Sequence, residues 1–164
     1  MQFTKDTFYA ALRDRLALLN PSRTVTINGA PRPAMLVAEN SPASAAAPPP
    51  DCFILYWSGA SLVQAVAPNQ ALWRMECRIA YSTSGSDAAA ADRGRSLAAL
   101  TAELVAIAVP RNTPKADYSS TPPAPLGTNI FWSDPRFADA SSSSGAALTR
   151  SADFTVFFFS EVTA

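Results

Sequence analysis

The sequence predicts an α+β fold: one mainly antiparallel sheet of about five or six strands with two long helices packed on one face. Three observations carry this. Apolar residues recur at helical spacing near the start and again between residues 97 and 107, strict two-residue alternation runs from Trp73 to Ser82, and it is flanked by an unbroken apolar run at 52–57 and by a phenylalanine-rich stretch at 154–159 with apolar groups on both faces. A chain of 164 residues has the size of one domain and buries a sizeable core without metals or disulfides.

Between Thr4 and Asn20, Phe8, Leu12, Leu16 and Leu19 follow one another at spacings of four, four and three, which predicts an amphipathic helix. Thr4 is the expected N-cap, and Asn20-Pro21 the stop, because proline disfavours helical geometry in the residue before it. Thr24–Ile27 alternates, Asn28-Gly29 is a turn signal, and residues 34–38 are the expected return strand, with Pro31 and Pro33 lengthening the connection. Residues 40–50 hold only small side chains and prolines beside Asn40 and read as a loop or arm.

Cys52 to Trp57 reads as a strand buried on both faces. Trp73, Met75, Cys77, Ile79 and Tyr81 then alternate with Arg74, Glu76, Arg78, Ala80 and Ser82, the clearest strand in the chain. Ser86 or Asp87 caps a second helix whose stripe is Leu97, Leu100, Leu104 and Ile107, and Pro110 ends it. The proline-rich stretch 111–126 is expected to be a connection, with a strand at 128–132, a Ser-rich loop at 141–145 and a last strand over 152–162. The whole, 1–164, is one domain with proline-rich loops or arms near 40–50 and 111–126.

Chemistry is constrained by what is missing. With no histidine there is no Ser-His-Asp or Cys-His nucleophile and no HExxH metal site. The six glycines never take phosphate-cradle spacing, and Cys52 and Cys77 are too far apart for a CxxC site. Asp134 with Asp139 is the nearest carboxylate pair, although Asp134-Pro135 is also a plain turn signature. Asp87 and Asp92 sit five apart on the second helix and read as helix-start charges. Arg93 and Arg95, near that helix start after a Ser/Gly loop, fit an anion site or a solvated face. These features predict no enzyme, no cofactor and no metal.

Thirteen basic residues balance thirteen acidic ones, which gives no field for nucleic acid, and no stretch approaches the roughly 20 apolar residues of a membrane span. Charges within the first eight residues argue against a signal peptide. Lys5 and Lys115 are the only lysines, so the remaining basic residues are all arginine, a bias found both at protein interfaces and in GC-rich genomes. Two helices cover one face of a sheet, whereas two strands here carry large apolar groups on both, so the other face needs a cover. Loops of Ala, Ser and Pro offer little area, and a second subunit offers more. The expected subunit-interface residues are Trp57, Trp73, Arg74, Arg78, Trp132, Phe157 and Phe159, although tryptophans within apolar strands are more often core than ligand platform.

The helix Phe8-x-x-x-Leu12-x-x-x-Leu16, the hairpin, the aromatic strand 52–57, the alternating strand 73–81, the helix 97–107 and the strand 154–159 together resemble, over most of the chain, the tail-terminator or tail-completion proteins of long-tailed bacteriophages. The resemblance lies in size and element order rather than in a diagnostic motif. It implies a virion protein assembled in the host cytoplasm, at the head-proximal end of the tail. There a ring of about six copies stops tube polymerisation, with its own copies, the tail-tube protein and a head-side connector as partners. Another neck component, such as a head-tail joining or gateway protein, or a tail-tube subunit, fits the same pattern. From a different class, a small-molecule- or carbohydrate-binding or -processing domain stays open; a pocket with convergent polar groups favours it, and a surface sealed by a neighbour favours assembly.

Overall fold

A computed structural model describes residues 1–40, 49–65, 71–83, 90–142 and 147–160. Helix α1 spans Gln2–Leu19 and α2 spans Ala90–Ile107. Ten strands surround them: β1 (Thr24–Ile27), β2 (Ala30–Pro33), β3 (Met35–Val37), β4 (Phe53–Ala65), β5 (Ala71–Ser82), β6 (Asn112–Asp117), β7 (Ala124–Trp132), β8 (Arg136–Phe137), β9 (Ser141–Ser142) and β10 (Leu148–Phe159). A 3-10 turn, Ala38–Asn40, follows β3.

The sheet corrects the expected architecture. It has eight strands in the order β3-β4-β5-β10-β7-β6, with β8 and β9 on the flank of β10, and β1-β2 forms a separate two-stranded sheet. It is also mixed, because β3 runs parallel to β4 while the other pairs are antiparallel. The chain is therefore mostly β, not two helices on a five- or six-stranded sheet. Proline caused most of the discrepancy. The segment 111–126, expected to be a connection, is β6 and the start of β7, with Pro114 in the strand at the sheet's edge and a register shift between Pro114 and Ala116. An edge strand with a bulge tolerates a residue that donates no ladder hydrogen bond.

The same reasoning corrects the first hairpin. Asn28 and Gly29, both at positive φ (51° and 78°), make a two-residue turn, and Pro31 and Pro33 lie inside β2, opposite Thr26 and Thr24. A two-residue turn of this kind needs both central residues at positive φ, which Asn-Gly supplies at low cost. The expected return strand joins the main sheet instead, as β3. Thr4 does not cap α1, whose N-cap is Met1; Thr4 is buried within the first turn of the helix. The expected α2 caps Ser86 and Asp87, residues 41–48 of the proline-rich arm, 143–145 of the Ser-rich loop and the end of the last strand at 161–162 lie outside the described residues.

One core holds the chain together. Phe8, Leu12 and Leu16 of α1 and Leu97, Leu100, Leu104 and Ile107 of α2 pack with Phe53, Leu55, Met75, Cys77, Ile79, Phe154, Val156 and Phe158. Phe8 is its hub, meeting Trp57, Trp132 and Phe154 edge-on at centroid distances of 5.6, 5.2 and 5.8 Å. Such edge-to-face contacts place a positive ring edge on a negative ring face. Both helices thus cover one face of the sheet, and the other face is left to the chemistry of its own side chains.

Candidate interaction face

Strand alternation decides what that second face carries. With Met75, Cys77 and Ile79 in the core, Leu72, Arg74, Glu76 and Arg78 of β5 must point away from it. In β10 the core residues Phe154, Val156 and Phe158 send Asp153, Thr155, Phe157 and Phe159 to the outer side. Register then fixes the neighbours: Arg78 lies opposite Tyr56 on β4 and Asp153 on β10, Glu76 opposite Thr155, Arg74 opposite Phe157, and Leu72 opposite Phe159. Phe157 in turn faces Phe131 of β7, and Asp153 faces Arg136 of β8.

Two zones result. At one end Tyr56, Trp57, Ser58, Glu76, Arg78, Arg136 and Asp153 line an open depression of about 650 Å³. Arg78 Nε donates to Asp153 Oδ1 at 2.9 Å, and Thr155 Oγ1 donates to Glu76 Oε2 at 2.9 Å. The Asp153 carboxylate, by hydrogen bond and charge, raises the Arg78 guanidinium above its already high ordinary value. At the other end, Leu72, Phe159, Phe157 and Phe131 form an apolar strip, with Phe131 41% exposed. Arg74 stands beside the strip and donates from Nε to Ser61 Oγ at 3.1 Å. An arginine beside aromatic rings, with its hydrogen bonds only partly used, is the composition of a protein contact surface.

Of the seven residues expected at an interface, Arg74, Arg78, Phe157 and Phe159 come together on this face. The three tryptophans pack toward the helix-covered side, and Trp57 also contributes to the lining of the depression. Trp132 is 4% exposed, donates from Nε1 to Ala108 O at 2.8 Å and has the Arg15 guanidinium 5.3 Å from its ring centroid. Trp57 and Trp73 are half-buried against the core, with Lys5 Nζ 5.9 Å from the Trp57 ring centroid. Their alternation with the outer-face residues was visible in the sequence; which parity faced the helices was not.

The remaining chemical candidates are dispersed. Asp134 pairs with Arg111, and Asp139 is exposed in the segment between β8 and β9. Arg93 is half-buried and Arg95 exposed on α2. Cys52 and Cys77 are both buried and unbridged. Burial pushes the Cys52 thiol up to about 12 and raises Cys77 too, with Asp153's charge adding to the second. A thiol that stays protonated is a poor nucleophile and a poor metal ligand. Among the described residues no three His, Cys, Asp or Glu side chains cluster as a metal site, and no helix is long and apolar enough to cross a membrane.

A second apolar surface was not foreseen. Arg15, Leu18, Leu19, Ala106, Ile107 and Val109 line a shallow depression of about 310 Å³ where the two helices end. Leu19, expected on the core stripe, is 51% exposed, and Leu18 is 84% exposed. The signal was the Leu18-Leu19 pair itself, since adjacent helical positions are about 100° apart and one stripe does not accommodate both.

No protein-family model matches this chain, and no curated protein matches it. A solved chain described as "Virion of native gene transfer agent (GTA) particle" is similar with a TM-score of 0.38 and 13% sequence identity, over 93% of this chain and 94% of that chain.

Proposed function

We propose that this chain is a structural subunit of a phage-type virion, a tail terminator that closes into a ring of about six copies at the head-proximal end of the tail. The observation that carries the reading is the outer sheet face, where Phe131, Phe157, Phe159 and Leu72 lie beside Arg74, with Arg78 further along the same strand and neither helix over them. Apolar strips of this kind mark surfaces that meet another protein. The resemblance of the sequence to tail terminators supplies the particular setting. Capping a polymer requires only that one side of the ring match the growing tube while the other does not, so no catalytic group is needed.

The partners in this reading are further copies of the chain, the tail-tube protein and a head-side connector. Native mass spectrometry of the purified chain should give a closed oligomer of about six copies. Particles made without the protein should carry tubes of uncontrolled length that fail to join heads, visible by negative-stain microscopy. Normal-length tails joined to heads would sink the terminator role, and normal-length tails that merely fail to join would move the chain to the head-side connector.

A second reading draws on the depression bounded by Tyr56, Glu76, Arg78, Arg136 and Asp153, whose convergent polar groups suit a small polar ligand. Arg78 and Asp153 neutralise each other there, which lowers the pull on a charged ligand. Isothermal titration with simple sugars and carboxylates tests it, and saturable heat would favour ligand binding over assembly.

A further inference from the structure

Sheet edges, rather than faces, hold the least explained surface of this molecule. An unpaired edge exposes a row of N–H and C=O groups that pair with any strand presented to them, and proteins ordinarily blunt it with charge, proline or a covering element. Three edges here are blunted. On β6, the Thr7 hydroxyl of α1 takes both backbone groups of Ala116, and Arg15 donates to Asn112 O at 3.2 Å. On β2, Pro31 and Pro33 alternate with the turn-closing Ala30, so the two missing N–H groups fall on the side away from β1. On β3, the strand is only three residues long.

Strand β4 is different. Its thirteen residues, FILYWSGASLVQA, contain no charged residue and no proline. β3 covers it only along residues 53–55, so among the described residues the following stretch pairs on one side alone, with β5. Register shifts between Trp57 and Ala60 and between Leu62 and Gln64, which themselves blunt an edge, interrupt that stretch and confine the open part to a short regular run at 60–62. Leu62 and Val63 there are 50% and 47% exposed. Among the described residues β1 is another edge without charge or proline, four residues of alternating Thr, Val, Thr and Ile, paired only with β2. Its length suits the short run on β4, and its β-branched side chains suit a strand.

We propose that the open edge of β4 around residues 60–63 receives strand β1 of a second copy of this chain. The contact joins two different edges, so it is head-to-tail, the kind that builds rings, whereas β4 against β4 would give a two-fold dimer and stop. It rests on the ring reading above and names the contact that would close the ring. Neutral edges on both sides mean that no charge is buried when they meet, and backbone hydrogen bonds supply the specificity of register.

Two measurements on the full chain test it. In the first, a Thr26→Cys, Ser61→Cys double variant is treated with a short bismaleimide; the native Cys52 and Cys77 are buried and do not compete. A ladder of two, three and more linked chains is expected from the double variant and none from either single variant. Dimers from Ser61→Cys alone would overturn the proposal in favour of β4–β4 pairing. In the second, Leu62→Lys with Val63→Lys places charge on an exposed edge without touching the core. These variants should turn the ring into single chains with unchanged circular dichroism and Tm. Rings that persist in the lysine variant, with no ladder in the cysteine variant, would overturn this contact and leave the ring reading standing; a wild-type chain that is single at all concentrations would overturn both.

Discussion

The Thr7 hydroxyl is bound to both backbone groups of Ala116, accepting its N–H at 3.1 Å and donating to its C=O at 3.3 Å. Thr7 is 1% exposed on the inner face of α1, so a helix side chain stands where a further strand would otherwise lie. Thr7→Val keeps the shape and removes the hydroxyl, leaving the two Ala116 groups without that partner. Chemical denaturation should show a loss of about 1 to 3 kcal/mol, the usual cost of stranding a buried polar group. Hydrogen exchange at the Ala116 amide should accelerate; unchanged protection would mean that this edge is sealed by something else.

Leu100 and Leu104, both 0% exposed, fill the space between α2 and the sheet. Replacing either with alanine should cost about 2 to 5 kcal/mol, combining lost transfer energy with the cavity left behind. Thermal unfolding checks this, and a Tm equal to the wild type in both variants would contradict the packing of α2.

Glu103 ties α2 to the exit of α1. It meets Arg23 at 2.6 and 3.0 Å and accepts from Asn20 Nδ2 at 2.7 Å, with the Arg23 and Glu103 side chains 17% and 15% exposed. Partial burial and two-pronged geometry distinguish this pair from the chain's surface ion pairs, which contribute little. Glu103→Ala should therefore lower stability by roughly 2 kcal/mol, because a largely desolvated guanidinium loses its partner. Addition of salt should weaken the wild type only slightly, and a steep salt dependence would show the pair to be surface-like.

Burial of Cys52 makes alkaline stability predictable in sign. Its thiol is raised from an ordinary 9.0 to about 12, so between those values the unfolded chain has lost the proton while the folded chain keeps it. The folded state then binds more protons, and stability falls as pH rises through that window. Cys77 acts in the same direction. Urea midpoints for the wild type should drop between pH 9 and 11 more than those of a Cys52→Ala, Cys77→Ala variant; parallel curves would show that other groups govern the alkaline limb. The same variant should assemble as the wild type does.

Phe157→Ser with Phe131→Ser removes two of the three aromatic rings of the apolar strip from the outer face and leaves the core residues Val156, Phe158 and Ile130 in place. The variant should fold with a Tm close to that of the wild type and fail to form the closed oligomer in native mass spectrometry. An intact oligomer would remove this face from the assembly.

Legibility from sequence followed side-chain period closely. Where apolar groups alternate or recur at 3.6, as in 73–82, 8–16 and 97–107, the elements lie where the pattern puts them. The period is silent where strands are made mostly of small, polar or proline residues: Ser58–Ala65 of β4, where Leu62 and Val63 are adjacent and do not alternate, Asn112–Asp117 and Ser141–Ser142 are held by backbone ladders to neighbouring strands. Outer-face residues such as Arg74 and Phe157 were recognisable as candidates by type, but their convergence depends on β5 and β10 being neighbours, which sequence order does not reveal. The tryptophans failed to join them because aromatic size alone does not say which parity of a strand meets the helices.

Strand β10 lies between β5 and β7, and it also carries β8 and β9 on its flank. A ribosome delivers β4 with β5, and then β6 with β7, as two ready-made hairpins, while the strand that must lie between them is translated after both. Until residues 148–159 emerge, the inward edges of β5 and β7 stay unpaired, and half of the groove that receives Phe154, Val156 and Phe158 stands open to water. Closing it joins segments more than sixty residues apart in the case of β5, a slow step in chains dominated by distant pairings. Nascent chains of this protein therefore pass through an interval in which a chaperone has a specific cleft to occupy, and its length is set by the rate of translation from the end of β7 at Trp132 to the end of β10 at Phe159.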